Sequence, residues 1–350
     1  MKKLLTSIFL TTVAATTAMA GGEKKVDGLD YYLPKTAVRM QVLVEKTSIM
    51  PGQLVDYSEL YFKKNASTTP QTTYRIVGVN FTSEGQPDTD KKFTVAIDKK
   101  HSVFTIDCAP NGVLRAINTK GKALPRPKVF RAAQKAAPLN SRDYMSQDIL
   151  AAANLPKMAQ LVAQEVYDIR DSRNQLSRGE ADNMPKDGEQ LRLMYRQLDT
   201  QERALMQLFT GTVSTDTTET VMTFVPQPTD LRRVLRFSKR FGLTTADDFS
   251  GEPFYLNVEN EGIIADVPAD ASKADKEKDD FSLGVNLPGK IRLTITKADG
   301  TPVASYETDA AQFGRVVMLN GALFGKKFTS DIVLDPTTGA VVELKTQPLD

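Results

Sequence analysis

Tryptophan is absent from this sequence, and histidine and cysteine occur once each, as His101 and Cys108. A single cysteine forbids an intramolecular disulfide, so stability has to come from packing. A single histidine rules out a two-histidine metal site within one chain, and a Ser-His-Asp triad would have to use His101. Its setting, Lys99-Lys100-His101-Ser102, reads instead as an exposed turn between strands. The lack of tryptophan argues against a carbohydrate-stacking cleft. Cys108 ends the alternating run Phe104-Thr105-Ile106-Asp107-Cys108, which places it beside Phe104 and Ile106 on an apolar face as a small buried hydrophobe.

Long apolar runs are equally scarce. Lys2 and Lys3 precede the acid-free stretch from Leu4 to Ala15, and Ala18-Met19-Ala20 follows it, the three-part plan of a cleavable signal peptide over residues 1–20. Its core of about 12 residues would reach ~18 Å as a helix, short of the ~30 Å hydrocarbon layer, and no second such run appears. The expected product is an exported bacterial protein, periplasmic or surface-associated, with no membrane-spanning helix. No cysteine follows Ala20 to be acylated, so a lipoprotein is not expected. The chain has 45 Lys and Arg; removing Lys2 and Lys3 leaves 43 against 43 Asp and Glu, so the mature charge is balanced. Nothing in that balance steers the protein at long range toward nucleic acid or an anionic membrane, and no nucleic-acid partner is expected.

What is present is a pattern that changes period twice. Residues 21–119 form an N-terminal β block: Val38, Met40, Val42 and Val44 alternate, a short helical spacing runs through Leu54, Tyr57, Ser58 and Tyr61, and strands return at 73–81, 92–97, 103–108 and 113–117. Pro110-Asn111-Gly112 supplies a hairpin corner. Residues 120–147 form a connector rich in proline and basic residues. Residues 148–210 switch to a helical period, with Leu155, Met158, Val162, Val166 and Ile169 in one stripe and Leu191, Met194, Leu198, Leu205 and Leu208 in another. The break at 177–188 makes the pair an antiparallel helical hairpin. Residues 211–350 return to short strands with corners at Ala298-Asp299-Gly300 and Asp335-Pro336-Thr337-Thr338-Gly339, the spacing of a β-sandwich-like domain. Residues 269–280 read as a solvated insertion. The fold class is α+β, dominated by β.

Motifs for chemistry fail at their decisive positions. Gly284-Val285-Asn286-Leu287-Pro288-Gly289-Lys290 has the spacing of a phosphate-cradling loop, but Ile291 stands where a Ser or Thr must hold magnesium, and the next residues alternate as a strand. The segment reads as a hairpin turn. Asn183 to Met194 fits a calcium loop only with Pro185 at a ligand position and Met194 where a bidentate carboxylate belongs. No Gly-x-Ser-x-Gly elbow or Ser-x-x-Lys pair occurs. No cofactor or metal site is expected. Carboxylates for glycoside cleavage carry no local signature and stay open.

The most unusual charged segment is Arg232-Arg233-Val234-Leu235-Arg236-Phe237-Ser238-Lys239-Arg240-Phe241. Strict alternation sets Arg236 and Arg240 on one sheet face with Val234 and Ser238, away from Leu235 and Phe237. Arg232, Arg233, Arg236 and Arg240 are therefore the candidate contacts for an anionic partner, an envelope protein or an anionic glycan or lipid headgroup. Ion pairing with Asp230, Asp247 and Asp248 is the plainer role for the same face.

Three short motifs, Tyr31-Tyr32-Leu33-Pro34-Lys35-Thr36, Leu208-Phe209-Thr210-Gly211 and Leu235-Arg236-Phe237-Ser238, together resemble an exported bacterial family, domain of unknown function family 4831. The resemblance runs from about Tyr31 to the C-terminus. It implies an envelope protein of two β regions around a helical segment and carries no assigned activity or catalytic residue. The functional expectation is a non-catalytic structural or binding component of the bacterial envelope; the alternative is a glycan- or peptide-active hydrolase whose carboxylates meet only in the fold.

Overall fold

The computed structural model describes residues 28–97, 101–124, 126–127, 129–135, 137–181, 184, 187–227, 231–245, 247–264 and 283–349. Residues 1–20, where a signal peptide is expected, the 269–280 segment, Lys99, Lys100, Asn183, Pro185 and Asp230 lie outside them. The strands are β1 (Gly28–Met50), β2 (Gln71–Ala96), β3 (Ile106–Cys108), β4 (Leu114–Ile117), β5 (Thr212–Phe224), β6 (Leu231–Ser238), β7 (Gly242–Thr244), β8 (Glu252–Ile264), β9 (Leu283–Lys297), β10 (Pro302–Leu319), β11 (Phe328–Leu334) and β12 (Val341–Pro348). The helices are α1 (Ser58–Phe62), α2 (Gln147–Leu150), α3 (Leu155–Arg178) and α4 (Gly188–Thr210). The protein is thus α+β and β-dominated, with α3 and α4 as the helical hairpin.

Among the described residues the strands form three antiparallel sheets, with strand orders β2-β1-β5, β10-β9-β8-β6-β7 and β12-β11-β4-β3. Two of them join strands from both ends of the sequence: β1 lies between β2 and β5, and β4 pairs with β11. Local periodicity reveals strands but not their distant partners. The two β regions therefore share sheets although their sequence signals are separate.

The alternation read in β1 has a direct physical cause. Val38, Met40, Val42 and Val44 face β8 and β9, where Leu256, Ile291, Leu293 and Ile295 close a core. Burying each such side chain contributes about 1.5–3 kcal/mol. The opposite face is polar: Gln41 donates to Glu219 and accepts from Asn80, and Arg39 lies 3.7 Å from Glu219. The first part of the same strand enters a second core, where Tyr31 and Leu33 pack with Leu283, Val285, Phe324 and Ile332. β9 does likewise, with Leu283 and Val285 in one core and Ile291, Leu293 and Ile295 in the other.

A buried polar junction lies between the two cores. Thr36 accepts from Ala311 N and donates to the Thr337 carbonyl, and the Gln312 amide bonds both the N–H and the carbonyl of Thr36. Asn286 donates from Nδ2 to the carbonyls of Pro34 and Thr338, at 2.9 and 2.8 Å. Its own N–H bonds the Gly339 carbonyl. Asn286 thus satisfies one backbone acceptor at the β1 register shift and one in the Asp335–Gly339 corner.

Two expectations change here. Gly284 to Lys290 is not a hairpin turn but the buried first half of β9, because β10 and the Asp335–Gly339 corner satisfy its backbone. The strands expected at 73–81 and 92–97 are one continuous β2; the Pro- and Asp-rich residues between them bulge where Tyr32 pairs with Lys92 and Pro34 with Pro87.

The hairpin forms where its two stripes and polar break lie in the sequence, although Leu155 and Met194 of those stripes are exposed. Asn154 caps α3 by accepting from Lys157 N, and Gly179 ends it at φ 74°. Asp187 caps α4, and Gly211 closes it. Ala159, Val162, Ala163 and Val166 pack against Leu205, Phe209 and Leu54, with Tyr61 and Phe62 of α1 alongside.

Candidate functional site

The arginine-rich segment does not present one open basic face. A register shift between Arg233 and Leu235 turns both Val234 and Leu235 toward the core and breaks the strict alternation. Arg232 consequently points inward with Leu256 opposite, its guanidinium 5.1 Å from the centre of the Phe224 ring. Arg236 is only 7% exposed; Nη1 donates to the Gly251 carbonyl at 2.8 Å, and the Phe249 ring lies 4.8 Å from its guanidinium carbon. Asp248, in the same covering turn, is held below the usual carboxylate range, first by its hydrogen bonds with Ser250 and to a smaller degree by Arg236. Arg233 and Arg240 remain exposed, Arg240 in the turn after β6. The fold separates the four arginines.

The other singled-out residues have structural settings. Cys108 is half-buried against the Tyr31 core, and burial pushes its thiol pKa up. Phe104, expected beside it, lies outside β3 and is 68% exposed. His101 is partly buried rather than solvent-facing. No group of three His, Cys, Asp or Glu placed to hold a metal occurs among the described residues.

The same β6 segment does end at a cleft. A cavity of about 740 Å³ opens where β2 meets the ends of β6, β8, β9 and β10. Tyr74, Ile76, Phe237, Phe254, Pro302 and Val303 supply apolar surface, while Arg75, Lys239, Lys297 and Glu252 bring charge. Local chemistry fixes this geometry. Tyr74 N donates to the Lys239 carbonyl at 2.8 Å, tying β2 to the β6–β7 turn. Gly242 has φ 77°, and a Cβ there would lie 3.0 Å from the Tyr74 ring, so the turn needs glycine for both conformation and space. Arg75 is committed to Glu45 through a 2.7 Å hydrogen bond. Lys239 and Lys297 make no ion pair among the described residues, although the Asp299 carboxyl, lowered first by its hydrogen bonds with Thr301, is lowered further by the charge of Lys297. Sequence reading grouped Lys239 with the strand face and gave Lys297 no role, because the cleft brings together residues from five strands.

Carboxylate pairs are differently placed. Glu252 is the one carboxylate lining this cleft among the described residues. Asp199 and Glu202, on α4, stand together on Arg173 Nη1 at 2.9 Å each, in a salt-bridge network rather than facing each other across a gap. No helix among the described residues is long and apolar enough to cross a membrane.

No curated protein and no solved structure matches the chain. The model of the family described as Domain of unknown function (DUF4831) matches residues 27–342, nearly the whole of the described structure, and the chain belongs to that family.

Proposed function

We propose that the protein is an exported, non-catalytic binding component of the bacterial cell envelope, and that the cleft at the end of β6 receives an apolar chain carrying a carboxylate. One observation carries this reading: an apolar, aromatic-lined hollow of about 740 Å³ with Lys239 and Lys297 available at its edge. Ligand sites are characteristically concave, mostly apolar and marked by a few polar groups that orient the guest. A carboxylate paired with either ammonium would place its attached chain over Phe237, Phe254 and Val303. The signal-peptide plan of residues 1–20 supports the exported location.

Decanoate, a simple apolar carboxylate, is the first probe. Calorimetry should detect its binding to the mature protein, and Lys239→Glu with Lys297→Glu should weaken it at least about tenfold through charge reversal. Val303→Arg, which fills the hollow, should also abolish it. The cleft assignment fails if decanoate does not bind or if these variants bind it equally well. Release of reducing sugar or free amine from envelope material by the purified protein would overturn the non-catalytic reading.

A further inference from the structure

The helical hairpin carries a second cavity, of about 540 Å³, along α3 and α4, with Lys64 contributed from the loop after α1. Five cations line it, Lys64, Arg170, Arg173, Arg196 and Arg203, against the carboxylates Asp199 and Glu202. Five against two is a local excess of three in a chain whose mature charge is balanced.

The carboxylates are already committed. Arg170 Nε donates to Glu202 Oε1 at 2.7 Å, and Arg173 Nη1 donates to Asp199 Oδ1 and Glu202 Oε2. Arg170 also lies against two mutually stacked rings, 5.3 Å from the centre of Phe62 and 5.6 Å from that of Tyr167. These contacts make one wall rigid. Lys64 and Arg196, by contrast, have no side-chain partner among the described residues. Arg203 donates Nε to the Asp199 backbone carbonyl and Nη2 to Thr200 Oγ1, and it makes no ion pair among the described residues.

Arg196 and Arg203 occupy one stripe of α4 two turns apart, about 10 Å along the axis, within reach of converging long side chains. We infer that this groove binds a phosphate group through Lys64, Arg196 and Arg203. A tetrahedral oxyanion offers acceptors in several directions, matching two guanidinium forks and an ammonium that arrive from separate points. A planar carboxylate would engage one fork and leave the other charges unmet.

The phosphate can belong to a soluble molecule or to a lipid headgroup, and the test separates them. Mature protein is titrated calorimetrically with inorganic pyrophosphate and, separately, co-sedimented with phosphatidylcholine vesicles containing phosphatidic acid. Binding in either assay should fall at least tenfold in the Arg196→Gln/Arg203→Gln variant and measurably in Lys64→Gln, while Arg240→Gln, an exposed arginine elsewhere, should bind as the unmodified protein does. Among the described residues none of the three groove side chains makes an ion pair, so circular dichroism should be unchanged. Pyrophosphate binding with this sensitivity assigns a soluble phosphate, and vesicle binding alone assigns a headgroup. Absence of binding in both assays, or binding indifferent to the groove substitutions, overturns the inference. The cleft variants Lys239→Glu and Lys297→Glu should leave it intact, which keeps it separable from the cleft reading.

Discussion

The β body and the helical hairpin use their buried side chains in opposite ways. β1 and β9 each serve two cores, and the junction at Thr36, Gln312 and Asn286 locks those cores together. The hairpin is supported at one end. On α4 the buried side chains are Ala204, Leu205, Met206, Leu208 and Phe209, whereas Leu193 and Met194 near the other end are 55% and 39% exposed. A region held from all sides spends its residues on packing. A region held at its base is free to carry exposed charge, and the cationic groove lies there.

The strongest challenge to this contrast is Phe209→Ala at the hairpin base. Phe209 is fully buried and meets Phe62 and Tyr61 edge-on, so its loss should cost about 3–5 kcal/mol. Hydrogen exchange should show protection falling in α3 and α4 while β1 and β9 keep theirs; an equal fall in β1 would make hairpin and body one unit. Asn286→Ala should come next, costing about 2 kcal/mol or more because two buried carbonyls lose their donor. Denaturation of that variant should remain a single transition, since both cores meet at the junction; two separated transitions would divide the body. Leu193→Ala, at the exposed end of α4, should change stability by no more than about 0.5 kcal/mol.

The smallest expected effect is electrostatic. The Glu307 carboxyl is held below its ordinary value of 4.5 by its hydrogen bonds with Lys290 and then with Arg292. A lowered folded-state pKa gives a contribution present above the ordinary value and lost as pH falls through the lowered one. The stability difference between the protein and Glu307→Gln should therefore be constant from about pH 7 to 5 and vanish in stronger acid. A difference that grows in acid would contradict this pairing.

The hairpin was legible because its information is local: two stripes at helical spacing with a polar break at 177–188 between them; the caps Asn154 and Asp187 and the stop at Gly179 are added by the structure. The strands of the body were legible as strands, but not their neighbours, which are set by contacts across most of the chain. Bulges caused the sharpest departures. One at Val234 rotated the arginine segment away from its alternating pattern, and another let turn-forming residues sit inside β2. Neither candidate site had a local signature. Tyr74 and Lys297 come from separate strands and Lys239 from the β6–β7 turn, and Lys64 joins Arg196 only when α1 docks on the hairpin.

The junction between the cores also sets the order in which the chain can become a protein. Tyr31 bonds the Gly284 carbonyl across 253 residues, and Thr36 reaches Thr337 across 301. Such contacts require loop closure over nearly the whole chain before they return any stabilisation, and folding dominated by them is slow. While the first strands are being synthesised their partners do not yet exist, so neither β core can close. The nascent chain remains pliable until its last strands arrive, the condition under which a polypeptide can be threaded through a narrow opening before it folds.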